Sequence, residues 1–174
     1  QILESEGIVD PICEHLNLGV RNLRWDSWPK IAMSFLKSSD EVSVVMVGKY
    51  VSLADSYVSV NEALEHAAAE KGFTSRIQWV DAEKFENRAN STRILSKYDA
   101  MIIPGGFGIR GSEGKMVAAN FARKNGIPYL GLCFGFQLAI VSFARFACNL
   151  SGANSSELES NTPHPVIDIL PEQK

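Results

Sequence analysis

The chain has 174 residues, 45% of them hydrophobic, which is enough for one substantial core and little more. A formal charge of -3 with interspersed signs gives no basic footprint, so nucleic acid is not an expected partner. No run approaches the roughly 18 to 20 apolar residues of a membrane span and no signal-peptide pattern opens the chain; three cysteines, Cys13, Cys133 and Cys148, without disulfide spacing, fit a reducing, cytoplasmic setting away from membranes.

In chain order, Ile8, Ile12 and Leu16 lie four apart and predict an amphipathic helix. The stretch from Asn22 to Asp40, with Trp25, Trp28, Pro29 and Ser38-Ser39, reads as a linker with one short helical piece. Val42 to Val47 is a near-continuous apolar run, the mark of a strand buried on both faces. Asp55 or Ser56 stands where it can cap a helix on which Val60, Leu64 and Ala67 share a face and which Gly72 ends. A strand at Arg76 to Val80, a polar helical piece from Ser91 to Lys97 and a strand from Asp99 to Ile103 follow. A helix from Glu113 to Asn125, closed by Gly126, leads to a strand at 127–132 and a last helix ending near Asn149. This alternation predicts an α/β fold: an open, mostly parallel sheet with right-handed crossovers and helices on both faces.

Two strand ends carry chemistry. Gly131-Leu132-Cys133-Phe134-Gly135 places a cysteine between glycines at a strand-to-helix junction, the pattern of a nucleophile elbow, whose sharp turn crowds the positions two before and two after the nucleophile. A helix N-terminus favours thiolate over thiol. On the pentapeptide alone, a buried structural cysteine in a glycine-containing turn competes equally with this reading. The strand ending at Ile103 runs into Pro104-Gly105-Gly106-Phe107-Gly108, where paired glycines let backbone N–H groups approach a ligand, as an oxyanion hole requires. Both motifs fall at the carboxyl edge of a parallel sheet, where open α/β folds bind ligands.

Gly131 to Gln137, Pro104 to Lys115, Gly48-Lys49-Tyr50 with Asp55-Ser56-Tyr57, and Gly152 to Glu157 followed by Thr162 to Asp168 together resemble the class I glutamine amidotransferases, whose fold is flavodoxin-like. The G-K-Y, F-G-x-R-G-x-E-G-K and A-N-S-x-E segments narrow the resemblance to the amidotransferase domains of CTP synthases. It covers 41–174 as an amidotransferase domain lacking its C-terminal part; residues 1–40 resemble, more loosely, the end of a synthetase domain and an interdomain linker. Phe134, Phe136 and Ser156 depart from the leucine, methionine and threonine common there.

The resemblance implies Cys133 as nucleophile and the N–H groups of Gly106 and Phe134 as oxyanion donors. It implies a glutamine site of Gly106, Phe107, Phe134, Gly135, Phe136, Gln137 and Glu157, and a GTP-responsive lid at Arg110, Gly111 and Glu113. With no C-x-x-C and no His/Cys cluster, no metal site is expected; the resemblance implies no cofactor within the chain, and ATP, Mg2+ and the effector GTP are expected of a full enzyme. The implied partners are glutamine, a synthetase domain of the same polypeptide, and further copies in a homo-oligomer, a tetramer or its filaments. Bland alternatives stay open for single residues: Gln137 as an exposed helix residue, Glu157 as a loop acid, Arg110 with Glu113 as a solvated pair, Lys49 and Tyr50 as surface residues. Cys148 reads as inert core, and His15 and His66 as solvated or hydrogen-bonded. No H-x-E pair follows Cys133 to complete a Cys-His-Glu triad, and His164, the later histidine, is held extended between Pro163 and Pro165. No G-x-x-x-x-G-K-[ST] phosphate loop occurs either. The chain therefore reads as a piece of an enzyme with little glutaminase activity alone, the alternatives being a noncatalytic amidotransferase-like binding module or another cysteine hydrolase of the class I superfamily.

Overall fold

The computed structural model of the protein describes residues 2–19, 28–37, 40–49, 51, 54–87, 91–170 and 172. Trp25, Ser38-Ser39 and Tyr50, singled out above, lie outside these residues, as does the side chain of Asp55.

The apolar run forms β1 (Asp40–Gly48), in which Val45, Met46 and Val47 are fully buried, as a strand covered on both faces must be. It pairs in parallel with β2 (Phe73–Asp81) along its whole length and with β3 (Ala100–Ile103), which in turn pairs with β4 (Tyr129–Gly131). The order β2-β1-β3-β4 means that the chain starts inside the sheet, moves out to one edge, then returns past its start. The reversal falls between β1 and β3, so a crevice opens at their carboxyl ends. Lys49, Pro104 and Leu132 directly follow β1, β3 and β4 at that edge.

Helices cover both faces. On one, α6 (Ser112–Asn125) lays Ala118, Ala119 and Ala122 against Val45, Val47, Met101 and Ile103; small side chains let it approach closely. On the other, α4 (Val58–Lys71) faces Val42 and Val44 through Leu64 and Ala68. Gly72 ends α4 in the left-handed conformation (φ 81°) and Gly126 ends α6 likewise (φ 66°), both as expected from a C-cap glycine. A short helix α5 (Ser91–Leu95) buries Leu95 in the α6-side core.

Several local expectations fail for identifiable reasons. Ser56 does not cap α4: a 3-10 turn, Ala54–Tyr57, feeds straight into it and Tyr57 takes the cap position without a side-chain bond; on the face that Leu64 and Ala67 share, burial is deepest at the neighbouring Ala68, with Ala69 beside it. The helix after β4, α7 (Phe134–Phe146), stops before Asn149, which adopts φ 57°. Cys148 is consequently exposed beyond the helix end, not core. Ile8, Ile12 and Leu16 do share one side of α2 (Val9–His15), which follows the one-turn helix α1 (Ile2–Ser5), but they are exposed and pack on none of the described residues' cores. The helical piece of the linker is α3 (Trp28–Lys37); it docks on α4 with Phe35 edge-on to His66 at 5.8 Å.

After α7 the chain forms a separate two-stranded pair, β5 (Asn154–Ser155) with β6 (Pro165–Ile167). Leu158, Val166 and Ile167 from this region close a second core over Met116, Phe134, Leu138 and Val141. At the far end of the sheet, the Ser43 N–H and hydroxyl both donate to Asp99 Oδ2, at 2.8 and 2.6 Å, and these bonds hold the Asp99 carboxyl below its usual range.

Candidate active site

Cys133 occupies φ 52°, ψ -115°, a conformation costly for any residue with a Cβ, immediately before the first turn of α7. The surrounding structure enforces it. Leu132 N–H donates to Ile103 O at 2.9 Å, Gly135 N–H to Leu132 O at 2.9 Å, and the N–H groups of Phe136 and Gln137 to Cys133 O at 3.0 and 3.2 Å. The flanking glycines are steric necessities: a Cβ at 131 would lie 2.6 Å from Phe136 N, and one at 135 would lie 1.9 Å from Ile103 O. Tyr129 Oη donates to Gly135 O at 2.9 Å from beneath the turn, and burial pushes its phenol pKa up. The thiol itself is exposed. Of the two readings of the pentapeptide, the buried structural cysteine is therefore excluded.

The Pro104–Gly108 loop runs alongside, with the Cβ direction of Gly105 pointing to within 3.7 Å of Cys133 Cβ. Gly106 has φ 102° and Gly108 φ 93°, so both positions need glycine. Phe107 lays its exposed ring against the buried ring of Phe134, centroids 5.1 Å apart. Among the described residues, no backbone carbonyl accepts from the N–H of Gly106 or of Phe134. These are the two N–H groups that the resemblance assigns to an oxygen gaining negative charge.

Two lysines reach this loop, and sequence reasoning assigned neither of them to its carbonyls. Lys115, in the first turn of α6, is 0% exposed; its Nζ donates to Pro104 O at 3.0 Å and Gly105 O at 2.9 Å, 5.9 Å from the centre of the Phe134 ring. Lys49 is 6% exposed, and its Nζ donates to the carbonyls of Phe107 and Gly108, both at 2.7 Å. Lys49 is thus not the surface residue that its place after a strand allowed. Lys115 falls on the same stripe of α6 as Ala118, Ala119 and Ala122; a charge on an apolar stripe is the signal that would have found it.

Burial lowers the pKa of Lys115 from 10.5 to about 8; Lys49 adds to the lowering, and a negative Cys133 opposes it. Burial and the neighbouring Arg110 likewise lower that of Lys49, against the pull of Glu83. Because the folded pKa of Lys115 lies below the unfolded value, the cost of its buried charge is fully present below about pH 8 and is relieved as pH rises from about 8 toward 10.5. Denaturant titrations of the unsubstituted chain and Lys115→Met between pH 7 and 10 should therefore show stability shifting toward the unsubstituted chain with rising pH, by up to about 1.4 kcal/mol per pH unit. A pH-independent difference would contradict the assignment.

The remaining candidates fall into two groups. Gln137 sits one turn into α7, half-buried, with its Oε1 buried and unpartnered, so it is not a solvated helix residue. Glu157 is exposed in the turn after β5, its N–H donating to Ser155 Oγ at 3.3 Å; its neighbour Leu158 packs in the core that holds Phe134. Phe136 is exposed on the first turn of α7 and Gly135 is buried under it. Arg110, Gly111 and Glu113 form a brace: Arg110 Nη2 donates to Lys49 O and its Nε pairs with Glu83 at 3.3 Å, while Glu113 pairs with Arg145 of α7 at 2.8 Å. Gly111, at φ 72°, turns the chain into α6. Arg110 and Glu113 are thus not paired with each other. His164 contributes its backbone to the small sheet, its carbonyl accepting from Asn154 N–H, and no hydrogen bond joins it to Cys133 among the described residues. Among those residues no helix is long and apolar enough to cross a membrane.

The family model for class I glutamine amidotransferases matches residues 52–169. The chain is 44% identical over 173 residues to the CTP synthase of Thermococcus gammatolerans, covering 99% of this chain and 32% of that protein. It is 46% identical over 172 residues to that of Methanococcoides burtonii, with the same two coverages, 99% and 32%. Among solved structures it is similar to a Trypanosoma brucei CTPS glutaminase domain with bound acivicin, at 36% identity and a TM-score of 0.72, covering 76% of this chain and 52% of that one. The chain thus spans about a third of the length of the curated relatives it matches. With a strained cysteine at an elbow and a family match across most of its length, the chain belongs to the class I glutamine amidotransferases.

Proposed function

We propose that this chain is the glutamine-hydrolysing part of a CTP synthase, with 41–174 contributing the amidotransferase domain and 1–40 the end of a synthetase domain and its linker. The observation that carries the proposal is Cys133, exposed at φ 52° with the unpartnered Gly106 and Phe134 N–H groups beside it.

Cys133 Sγ attacks the carboxamide carbon of glutamine; the C–S bond forms as the carbonyl π pair moves onto oxygen, where the two N–H groups receive it. Collapse of this intermediate breaks the C–N bond as the leaving nitrogen takes the proton that the Cys133 thiol gave up, so ammonia departs; water then adds to the thioester carbon and the C–S bond breaks, releasing glutamate and restoring the thiol. Gln137 and Glu157 hold the substrate, Glu157 through the α-amino group, while Phe107, Gly135 and Phe136 shape its pocket. Arg110, Gly111 and Glu113 form the lid that answers to GTP. Ammonia serves the ATP- and Mg2+-dependent amination of UTP in a synthetase domain, in a cytoplasmic enzyme assembled as a homo-oligomer. The synthetase portion holds ATP and Mg2+; this chain's residues hold glutamine.

In a polypeptide joining this chain to its synthetase domain, Gln137→Ala and Glu157→Ala should each lower glutamine-driven amination at least about tenfold, the scale of one lost charged or buried hydrogen bond. Ammonia-driven amination should be nearly unchanged, because free ammonia bypasses the pocket. Equal loss of both activities would make these residues structural supports and remove them from the glutamine site.

A further inference from the structure

Lys49 and Lys115 present a problem that packing does not answer. Burying an ammonium costs several kcal/mol unless it is compensated, yet neither takes part in an ion pair among the described residues. Each instead donates to two consecutive carbonyls of one loop: Lys115 to those of Pro104 and Gly105, Lys49 to those of Phe107 and Gly108. Four of the five carbonyls from 104 to 108 are therefore drawn toward buried positive charge.

A trans peptide unit points its C=O and its N–H in opposite directions. Pulling the Gly105 carbonyl toward Lys115 consequently aims the Gly106 N–H the other way, and pulling the Pro104 carbonyl does the same for the Gly105 N–H. A loop rich in glycine has no side chains to fix these orientations, and Gly106 and Gly108 sit at φ values that other residues rarely adopt. The two ammonium groups supply that fixation from behind, and their charge favours an anion on the loop's far side. A Cβ on Gly108 would come within 3.7 Å of Lys49 Nζ, which shows how closely the lysine is seated.

We propose that Lys115 and Lys49 are positioning residues for the acyl-transfer step, a clamp on the 104–108 carbonyls: Lys115, through the Gly105 carbonyl, presets the Gly106 N–H for the oxygen that becomes negative as Cys133 Sγ bonds to carbon, and Lys49, through the Phe107 and Gly108 carbonyls, anchors the following half of the same loop so that this orientation is kept. The inference rests on the reading of Cys133 as nucleophile, but not on glutamine being the substrate. It makes the lysines felt in reactions that pass through an oxyanion and silent in those that do not.

Acylation of Cys133 by p-nitrophenyl acetate passes through such an oxyanion and its leaving phenolate needs no proton; alkylation by iodoacetamide displaces iodide at a saturated carbon without one. Both rates are measured on the full chain, with the Cys133→Ala chain giving the background from Cys13 and Cys148. Lys115→Met should lower the ratio of acylation to alkylation at Cys133 by at least about tenfold, short of the roughly 10²- to 10³-fold that removing one such donor costs. Lys49→Met should lower it in the same direction, and it decides the matter if Lys115→Met loses its cooperative melting transition. An unchanged ratio, whether both rates hold or both fall together, would overturn the clamp, since a merely structural lysine or one acting through thiol charge moves both reactions alike. Because neither probe resembles glutamine, failure here is separate from failure of the glutaminase reading, which shows instead as a lack of reaction with a glutamine analogue.

Discussion

Gly135→Ala should be the most destabilising single-methyl substitution in the elbow, costing more than about 3 kcal/mol, the upper end of ordinary overpacking. The added Cβ would meet Ile103 O at 1.9 Å and Ile103 C at 2.7 Å, and neither atom can retreat. Ile103 is the last residue of β3, and its carbonyl already accepts from Leu132 N–H at 2.9 Å, so a shift would break the bond that seats the elbow on the sheet. Phe134 just before Gly135, and Leu138 and Val141 after it, lie in the second core, and displacing the start of α7 would loosen all of them. Gly126→Ala is the control: its φ of 66° carries conformational strain, but a Cβ there meets nothing within 4 Å, so a loss of only about 1–2 kcal/mol is expected. Denaturant melts of the two variants compare them directly. A Gly135→Ala loss no greater than that of Gly126→Ala would show that the contact with Ile103 is relieved elsewhere.

What was legible in the sequence was whatever short-range chemistry dictates. The run Val42 to Val47 could only be a strand covered on both faces, and Gly72 and Gly126 could only end helices, because burial and left-handed backbone leave few other residue choices. The glycines around Cys133 announced the elbow for the same reason: Gly131 and Gly135 stand where backbone of another element passes through the space a side chain would need. What was not legible depends on partners distant along the chain. Lys49 and Lys115 find their acceptors 58 or 59 and 10 or 11 positions away, and only the folded edge of the sheet brings both to one loop. Ser43 and Asp99 meet only because β1 and β3 are neighbours. Cys148 looked like core because the apolar pattern of α7 runs up to it, whereas the helix ends at Phe146 and turns the cysteine outward. The arginine of the F-G-x-R-G loop was read with Glu113, but folding gives it Glu83 and gives Glu113 Arg145.

Cys133→Ala should abolish reaction with an electrophilic glutamine analogue, and the unsubstituted chain should react at Cys133 at least about tenfold faster than at either other thiol. Exposure alone does not choose, because Cys148 is exposed as well and Cys13 is half-buried. The settings differ. Cys133 precedes the first turn of α7 and has the Gly106 and Phe134 donors beside it, whereas Cys148 follows the last turn. A helix N-terminus attracts negative charge and a C-terminus repels it, by about 0.3–1 kcal/mol at each end, and the donors stabilise the oxygen of a bound carbonyl. Limited labelling with a glutamine-derived diazo ketone, with and without competing glutamine, followed by mass mapping of the three cysteine-containing peptides, is the most direct measurement. The expected result is modification at Cys133, slowed by glutamine; preferential modification of Cys13 or Cys148, or labelling of Cys133 that glutamine does not slow, would contradict the assignment of this elbow as a glutaminase nucleophile.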